Sequence, residues 1–562
     1  MTATEGAIEM SDTTGQVAGT GEGLPRAAER ASRVARRRVL AGLGGGASLA
    51  VAQAATAQAA GAPASALTSA PPAAAVTSAA PAVMATLGAS ATDPVLHLLR
   101  RATFGPTPAL VAEVRATGTT AWLDAQLAPL TKVPDTTMDG VLKRWPRLGW
   151  RIWEVRERVA ANGSWDVMYD LLESHLARAL WSRRQLLETV VDFWTNHLVI
   201  PVPSSEVWDN AHLFQRDVVR RNALGTYTAM LGAAARHPAM LKVLDNADSR
   251  KKAPNENYGR ELLELHTVGA GAYTEADVRM SALALTGLSV DSESGLYSYK
   301  PQRRYLGALK VMGWSHANTS PEGGDAVATS YLTYLATHPA TAKRIATKLC
   351  IRYVSDTPPA TLVTKLAQVY TANNTAIAPV LRALFLSPEF AASIGKKVRT
   401  PYEDALASCR ILGLGPEPVP ADPTKADLRG LLWLTGTFGQ APMGWPAPNG
   451  YPDVAGALGG ASSTLNRWNF HLGLAGSWTL KAMPRPALST LVPATRPATY
   501  GAFVEALAAR LLVTVSAAQR DAICRFLEHA PTDTLKADAA ALSWRLPYVV
   551  ALLLDSPTFA TR

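Results

Sequence analysis

From Asp93 onward, apolar residues return at helical spacing, and that periodicity is the strongest constraint on the fold. Leu96, Leu98 and Leu99 lead into a break at Thr103-Phe104-Gly105-Pro106, and Val111, Val114, Trp122, Leu123 and Leu127 resume the pattern. The spacing predicts a long helix over Val167–Leu198 and further helices near 209–234, 255–267, 274–286, 325–336 and 339–353. Thr274 with Asp277 approximates a capping box, and Gly287 stands where a helix-ending glycine belongs. Residues 287–312 depart from the pattern. Leu288-Ser-Val290, Tyr297-Ser-Tyr299 and Leu309-Lys-Val311-Met312 alternate between turn residues, as in a small β-hairpin or irregular flap. The expected class is mostly α: a large multi-helix domain with a small β-hairpin or flap near 287–312. A Pro- and Gly-rich break from Gly413 to Asp427 divides a main helical domain (92–413) from a C-terminal helical region (414–562), packed on it or continuous with it.

The N-terminal 91 residues read differently. Arg36-Arg37-Arg38-Val39-Leu40 precedes a weakly apolar stretch, and Ala57-Gln58-Ala59 gives a small-x-small cleavage pattern. Residues 1–59 thus resemble a twin-arginine signal peptide. The apolar run is too short and Gly-rich to span a bilayer. Residues 60–91 are an Ala/Pro-rich spacer. These features predict a secreted or cell-envelope protein with the twin-arginine export machinery as a partner. That route carries folded chains, often ones already holding a cofactor. No later segment has the uninterrupted apolar length of a transmembrane helix.

The net charge of +10 is spread thinly, because basic pairs such as Arg183-Arg184, Arg220-Arg221 and Lys251-Lys252 are scattered. Nucleic acid is therefore not an expected partner. Cys350, Cys409 and Cys524 form no Cys-x-x-Cys pair, which disfavours a zinc–thiolate site. The chain lacks a Gly-x-Ser-x-Gly elbow, a phosphate-binding glycine loop and a His-Glu-x-x-His motif. Common α/β hydrolases, nucleotide-driven enzymes and zincin proteases are disfavoured accordingly.

Five stretches stand out: Leu98-Leu-Arg-Arg-Ala-Thr-Phe-Gly-Pro-Thr107, Val191-Asp-Phe-Trp-Thr-Asn-His197, Asn255-Glu-Asn-Tyr-Gly-Arg-Glu-Leu-Leu-Glu-Leu-His-Thr-Val-Gly269, Leu386-Ser-Pro-Glu-Phe390 and Gly444-Trp-Pro-Ala-Pro-Asn-Gly-Tyr-Pro-Asp453. Together they resemble the bacterial family catalogued as domain of unknown function 1800, over roughly Asp93 to the end of the chain. The resemblance implies an exported helical protein. It also implies, as a partner, a co-exported protein of a family resembling sulfatases and phosphatases. Two departures follow from the same resemblance. Relatives tend to carry two histidines in the Phe-Trp-x-Asn-His stretch, where this chain has Thr195 and keeps His197. A His-Asp pair expected near the flap stands here as Arg304-Tyr305.

On a helical wheel, Asn257, Glu261 and Glu264 form one polar stripe with Arg260 at its edge, while Glu264 and His266 lie about 160° apart. Glu188, Asp192 and Asn196 form a second stripe at i, i+4 and i+8. Two helices presenting carboxylates inward could hold a divalent metal, although the Glu-x-x-His spacing of di-iron bundles is absent. Paired carboxylates could instead act as acid and base. They could equally form a buried ion-pair network with Arg260, Arg183 and Arg184 that sets helix register.

Two functions therefore stand side by side. One is an exported enzyme whose pocket draws on Glu261, Glu264, Arg260 and His197 for chemistry and on Asp192, Asn196 and Asn257 for ligand contacts. There Trp445 and Tyr451 would stack on a carbohydrate or aromatic ligand. The other is a non-enzymatic envelope protein that binds a polymer or partner chain, in which the same residues only hold helices together.

Overall fold

The computed structural model describes residues 93–159 and 165–562. The signal peptide (1–59) and spacer (60–91) read from the sequence lie outside those residues. The fold is mostly α, with two small antiparallel sheets.

Helix α1 (Pro94–Ala102) starts on Asp93, whose side chain accepts from Val95 N at 2.9 Å and Leu96 N at 3.2 Å, with Pro94 in the first turn. The helix expected over Val167–Leu198 is two helices, α2 (Asp166–Trp181) and α3 (Gln185–His197). The break has a tertiary cause that periodicity cannot show. Buried Asp135 accepts from Ser182 Oγ at 2.5 Å and from Arg183 N at 3.1 Å. The Gln185 amide then satisfies the carbonyls of Ala179 (3.1 Å) and Ser182 (2.9 Å). The stretch near 209–234 is likewise divided. A π-helical turn at Phe214–Arg220 is followed by α4 (Tyr227–Arg236), which Thr226 caps.

Helix α5 (Glu256–Glu261) is capped by Asn255 and widens into a π-helical turn over Leu262–His266. Helix α6 (Glu275–Ala284) has the Thr274–Asp277 capping box, and Gly287 follows it at φ 93°. The flap is two hairpins. Strand β1 (Leu288–Val290) pairs with β2 (Tyr297–Tyr299), and β3 (Leu309–Val311) pairs with β4 (Trp314–His316), which lies beyond the expected limit at 312.

Next come α7 (Gly324–Thr337), α8 (Pro339–Tyr353), α9 (Ala360–Ala372), α10 (Ile377–Phe385), α11 (Pro401–Ile411), α12 (Asp427–Thr437), α13 (Ala461–Ala475) and α14 (Leu546–Leu554). Helix α2 packs against α11 and α12, α11 against α13, and α13 against α14. Segments on both sides of the Gly413–Asp427 break thus share one hydrophobic core, which runs from Leu98 to Phe559. Trp194, Leu349, Leu406 and Val549 are fully enclosed in it. Cys350, Cys409 and Cys524 are buried free thiols. No described helix is long and apolar enough to cross a membrane.

Candidate functional site

Helix α8 has two faces. Ala342, Ile345, Ala346 and Leu349 enter the core, while Arg344, Thr347, Lys348 and Ile351 recur at i, i+3, i+4 and i+7 along a cavity of about 760 Å³. Lys343 and Arg352 flank that row on the cavity wall. The contacts of the central cations are neutral. Arg344 Nη2 donates to Leu265 O at 3.3 Å, and Lys348 Nζ lies 2.9 Å from His197 Nδ1. The buried Arg344 Nε has no hydrogen-bond partner among the described residues.

Helix α3 forms the adjacent wall. Its Leu186, Val190 and Trp194 point to the core, and Asp192, Phe193, Thr195 and Asn196 line the cavity. The third wall is the Gln440–Val454 loop, including Trp445 and Tyr451. Asn449-Gly450 makes its turn, with Gly450 at φ 78°. Asn196 Nδ2 donates to Tyr451 O at 2.8 Å, and Tyr451 N donates to Asn196 Oδ1 at 2.7 Å. Tyr451 Oη donates to Ala441 O at 3.0 Å, and Trp445 Nε1 to Asn449 Oδ1 at 2.8 Å. The Trp445 and Tyr451 rings are 4.8 Å apart between centroids, tilted by 49°. These rings line the same cavity as the α8 cations.

His197 sits behind this surface, 2 % exposed. Its Nε2 is 3.1 Å from His266 O and 3.0 Å from Tyr227 Oη. Burial and the nearby Lys348, His266 and Arg344 hold His197 well below the usual imidazole range, so its ring is neutral. Burial pushes His266 down to about 3, and Lys348 and Arg344 push the same way. Burial, with Arg344 beside it, brings Lys348 down to about 7.

Most carboxylates of the two stripes have separate partners. Glu188 pairs with Arg220 at 2.6 Å. Asp192 lies 3.3 Å from Arg352 and 3.7 Å from His175. Arg260 pairs with Glu275 at the surface, Asn257 is exposed, and Glu264 accepts from Tyr273 Oη at 2.6 Å. Glu261 is half-buried; burial and the Glu264 carboxylate raise it to about 7. The expected ion-pair partners are also elsewhere, since Arg183 pairs with Glu113 and Arg184 donates to Val133 O. Among the described residues, no three His, Cys, Asp or Glu side chains form a group able to hold a metal ion.

The structure thus gathers Asp192, Asn196, Trp445 and Tyr451 around one cavity, with His197 touching it through Lys348. Arg260, Glu261, Glu264 and Asn257 are not on its wall, nor is any residue of the flap. The Asn255–Gly269 segment reaches the cavity only through Val268 and Gly269 and through the His266 carbonyl behind His197. Sequence reasoning missed Arg344 and Lys348. Their signal was an i, i+4 basic pair on the polar face of an otherwise apolar helix, continued at i+8 by Arg352.

An ion-pair hub closes one end of the cavity. Arg352 lies 2.7 Å from Glu403 and 3.6 Å from Asp453, and Lys397 lies 3.0 Å from Asp453 and 2.6 Å from Asp356. Arg562 meets both Glu403 and Asp453. Burial opposes ionisation of Asp453, yet Arg562, Lys397 and Arg352 hold it below the usual carboxylate range.

Residues 97–561 match the family model described as protein of unknown function, DUF1800. The chain belongs to the DUF1800 family. No curated protein and no solved structure matches it. In this DUF1800 chain, Thr195 occupies the position where the sequence resemblance implies a second histidine. Its hydroxyl donates to Val191 O at 2.7 Å and it lines the cavity. Arg304, at the other departure, is 1 % exposed and lies away from the cavity. It donates to Ala284 O at 2.6 Å and to Asn318 Oδ1 at 2.7 Å, tying the flap to the end of α6.

Proposed function

We propose that this DUF1800 chain is an exported protein whose central cavity binds a small organic anion carrying a ring. The observation that supports it is the pairing of walls. Lys343, Arg344 and Lys348 line the cavity from α8, and Trp445 and Tyr451 line it from the 440–454 loop. Cations with neutral contacts favour an anionic group, and desolvation within the cavity strengthens that attraction. Tilted aromatic rings favour a flat or pyranose-like face. Asp192 and His197 are acid–base groups at the same place, so the cavity fits an enzyme as well as a carrier. The export half of the reading rests on Arg36-Arg37 and the segment behind them.

Calorimetric titration and thermal shift of the full chain test the ligand class. The probes are pyridoxine 5′-phosphate, glucose 6-phosphate and glucuronate, each against its neutral counterpart. We expect at least one ring-bearing anion to bind and to raise the melting temperature. The K343A/R344A double variant should lose that effect while remaining folded. Equal binding of neutral and anionic probes, or binding of none, would reject the reading. Elemental analysis of the exported protein, wild type beside Glu264→Gln, tests the metal alternative; a stoichiometric metal lost only in the variant would favour it. Arg36→Lys with Arg37→Lys should hold the chain in the cytoplasm if the twin-arginine route is used.

A further inference from the structure

Beyond anion binding, and resting on that reading of the cavity, the amine of Lys348 has an arrangement of its own. Its Nζ lies 2.9 Å from His197 Nδ1. On the far side of that ring, His266 O can only accept, so His197 carries its proton on Nε2 and offers a bare Nδ1 lone pair. That lone pair accepts one N–H of Lys348 whether the amine is charged or neutral. The groups facing this pair are His197 from α3, Tyr227 from α4, His266 from the π-helical turn and Arg344 one turn back on α8. None is a carboxylate, so no partner there favours the ammonium form. Burial and Arg344 bring Lys348 to about 7, and a large share of the amine is unprotonated in neutral solution. The side chain also lines the cavity, where a ligand atom can reach it.

We propose that Lys348 is a carbonyl-capturing amine, which condenses with the aldehyde or ketone group of a ring-bearing anion held in the cavity to form an imine. The Nζ lone pair forms the C–N bond while the carbonyl π pair moves to oxygen. Both N–H protons of the amine end on that oxygen, which leaves as water as the C=N bond closes; His197 Nδ1 is the acceptor within reach for relaying them. No oxidant or reductant is consumed. Arg344 and Lys343, on the same helix face, would hold the anionic group, and Trp445 and Tyr451 would hold the ring.

The test uses pyridoxal 5′-phosphate, which joins an aldehyde, a ring and a phosphate, followed by borohydride reduction and peptide mapping of the full chain. Wild type should carry one dominant adduct, on Lys348. It should form roughly ten-fold or more faster there at pH 7 than on any exposed lysine, because an ordinary lysine is almost wholly protonated at that pH. Lys348→Arg should abolish the adduct yet still bind pyridoxine 5′-phosphate, which has no aldehyde. If pyridoxine 5′-phosphate binds wild type while Lys348 stays unlabelled, or labelling is spread evenly over surface lysines, the amine proposal fails and the anion pocket stands. If none of the ring-bearing anions binds and Lys348 is not labelled, both fall.

Discussion

Asn196 and Tyr451, 255 positions apart, are joined as a strand joins its neighbour: the Asn196 amide donates to the Tyr451 carbonyl at 2.8 Å and accepts from the Tyr451 N–H at 2.7 Å. One side chain on α3 therefore sets the position of the aromatic wall. The approach is close, since a Cβ on Gly450 would lie 2.2 Å from Asn196 O. Asn196→Asp removes the donor and sets a carboxylate oxygen against a carbonyl. Its expected cost is roughly 1–3 kcal/mol, read by urea denaturation, with faster proteolytic nicking of the 444–453 loop. Gly450→Ala should act in the same direction, because φ 78° and the contact with α3 both oppose a side chain. Unchanged stability and unchanged nicking in both variants would show that the loop is held by other means.

Arg352 is the centre of a buried ion-pair hub, whereas Arg260 pairs at the surface. The Arg352 and Glu403 side chains are 6 % and 5 % exposed and 2.7 Å apart. Arg352→Met leaves Glu403 and Asp453 short of a cation in the interior, and the expected loss is about 3–5 kcal/mol. The pair of Arg260 with Glu275 is 38 % and 75 % exposed. Arg260→Ala should cost no more than about 1 kcal/mol. Chemical denaturation of the two variants side by side checks the ranking, and a reversed order would refute it.

Local signals were legible where the chain interacts with itself nearby. The Thr274–Asp277 capping box, the glycine at 287 and the Asn449-Gly450 turn depend on residues within a few positions, and they stand as read. The break at Ser182 and the π-helical turn after Glu261 do not depend on such signals. Asp135 decides the first of them from 47 residues away. The site was half legible for the same reason. Asp192, Asn196, Trp445 and Tyr451 lie in unusual motifs and do meet. Glu261 and Glu264 share a motif and a wheel face, yet neither lines that cavity. Lys348 carries no motif at all, because its character comes from α3 and the His266 carbonyl, which only the fold brings to it.

Glu261 offers a contrast with a paired carboxylate. Burial and the Glu264 charge raise it to about 7, above its ordinary value of 4.5. A carboxyl raised on folding favours the protonated native state, so stability falls as pH climbs from about 4.5 through about 7. Glu261→Gln removes that penalty. It should be near neutral at pH 5 and more stable than wild type at pH 8, and melting curves at the two values read the difference. A loss of stability at pH 8 would mean that the charged form has a partner after all.

Stability also falls with rising pH at His471, but there the protonated form is held by partners, so substitution has the opposite effect. Its ring, 2 % exposed on α13, has Nδ1 2.7 Å from Asp555 Oδ1 and Nε2 3.2 Å from Asp404 Oδ2. Burial alone would lower it, but the Asp404 and Asp555 carboxylates overcome that and hold it up at about 9. A histidine raised on folding contributes stability that is fully present below its ordinary value of 6.5 and is lost as pH rises through about 9. The size is of the order of 3 kcal/mol for such a shift. It acts where α11 (Asp404), α13 (His471) and the end of α14 (Asp555) meet. Wild type and His471→Gln, compared by urea denaturation from pH 6 to 10, should differ most at pH 6. The gap should narrow across pH 7–9 as the wild-type imidazolium gives up its proton. A gap that stays constant over that range would show that His471 is neutral between its two carboxylates and that the helices are held by packing instead.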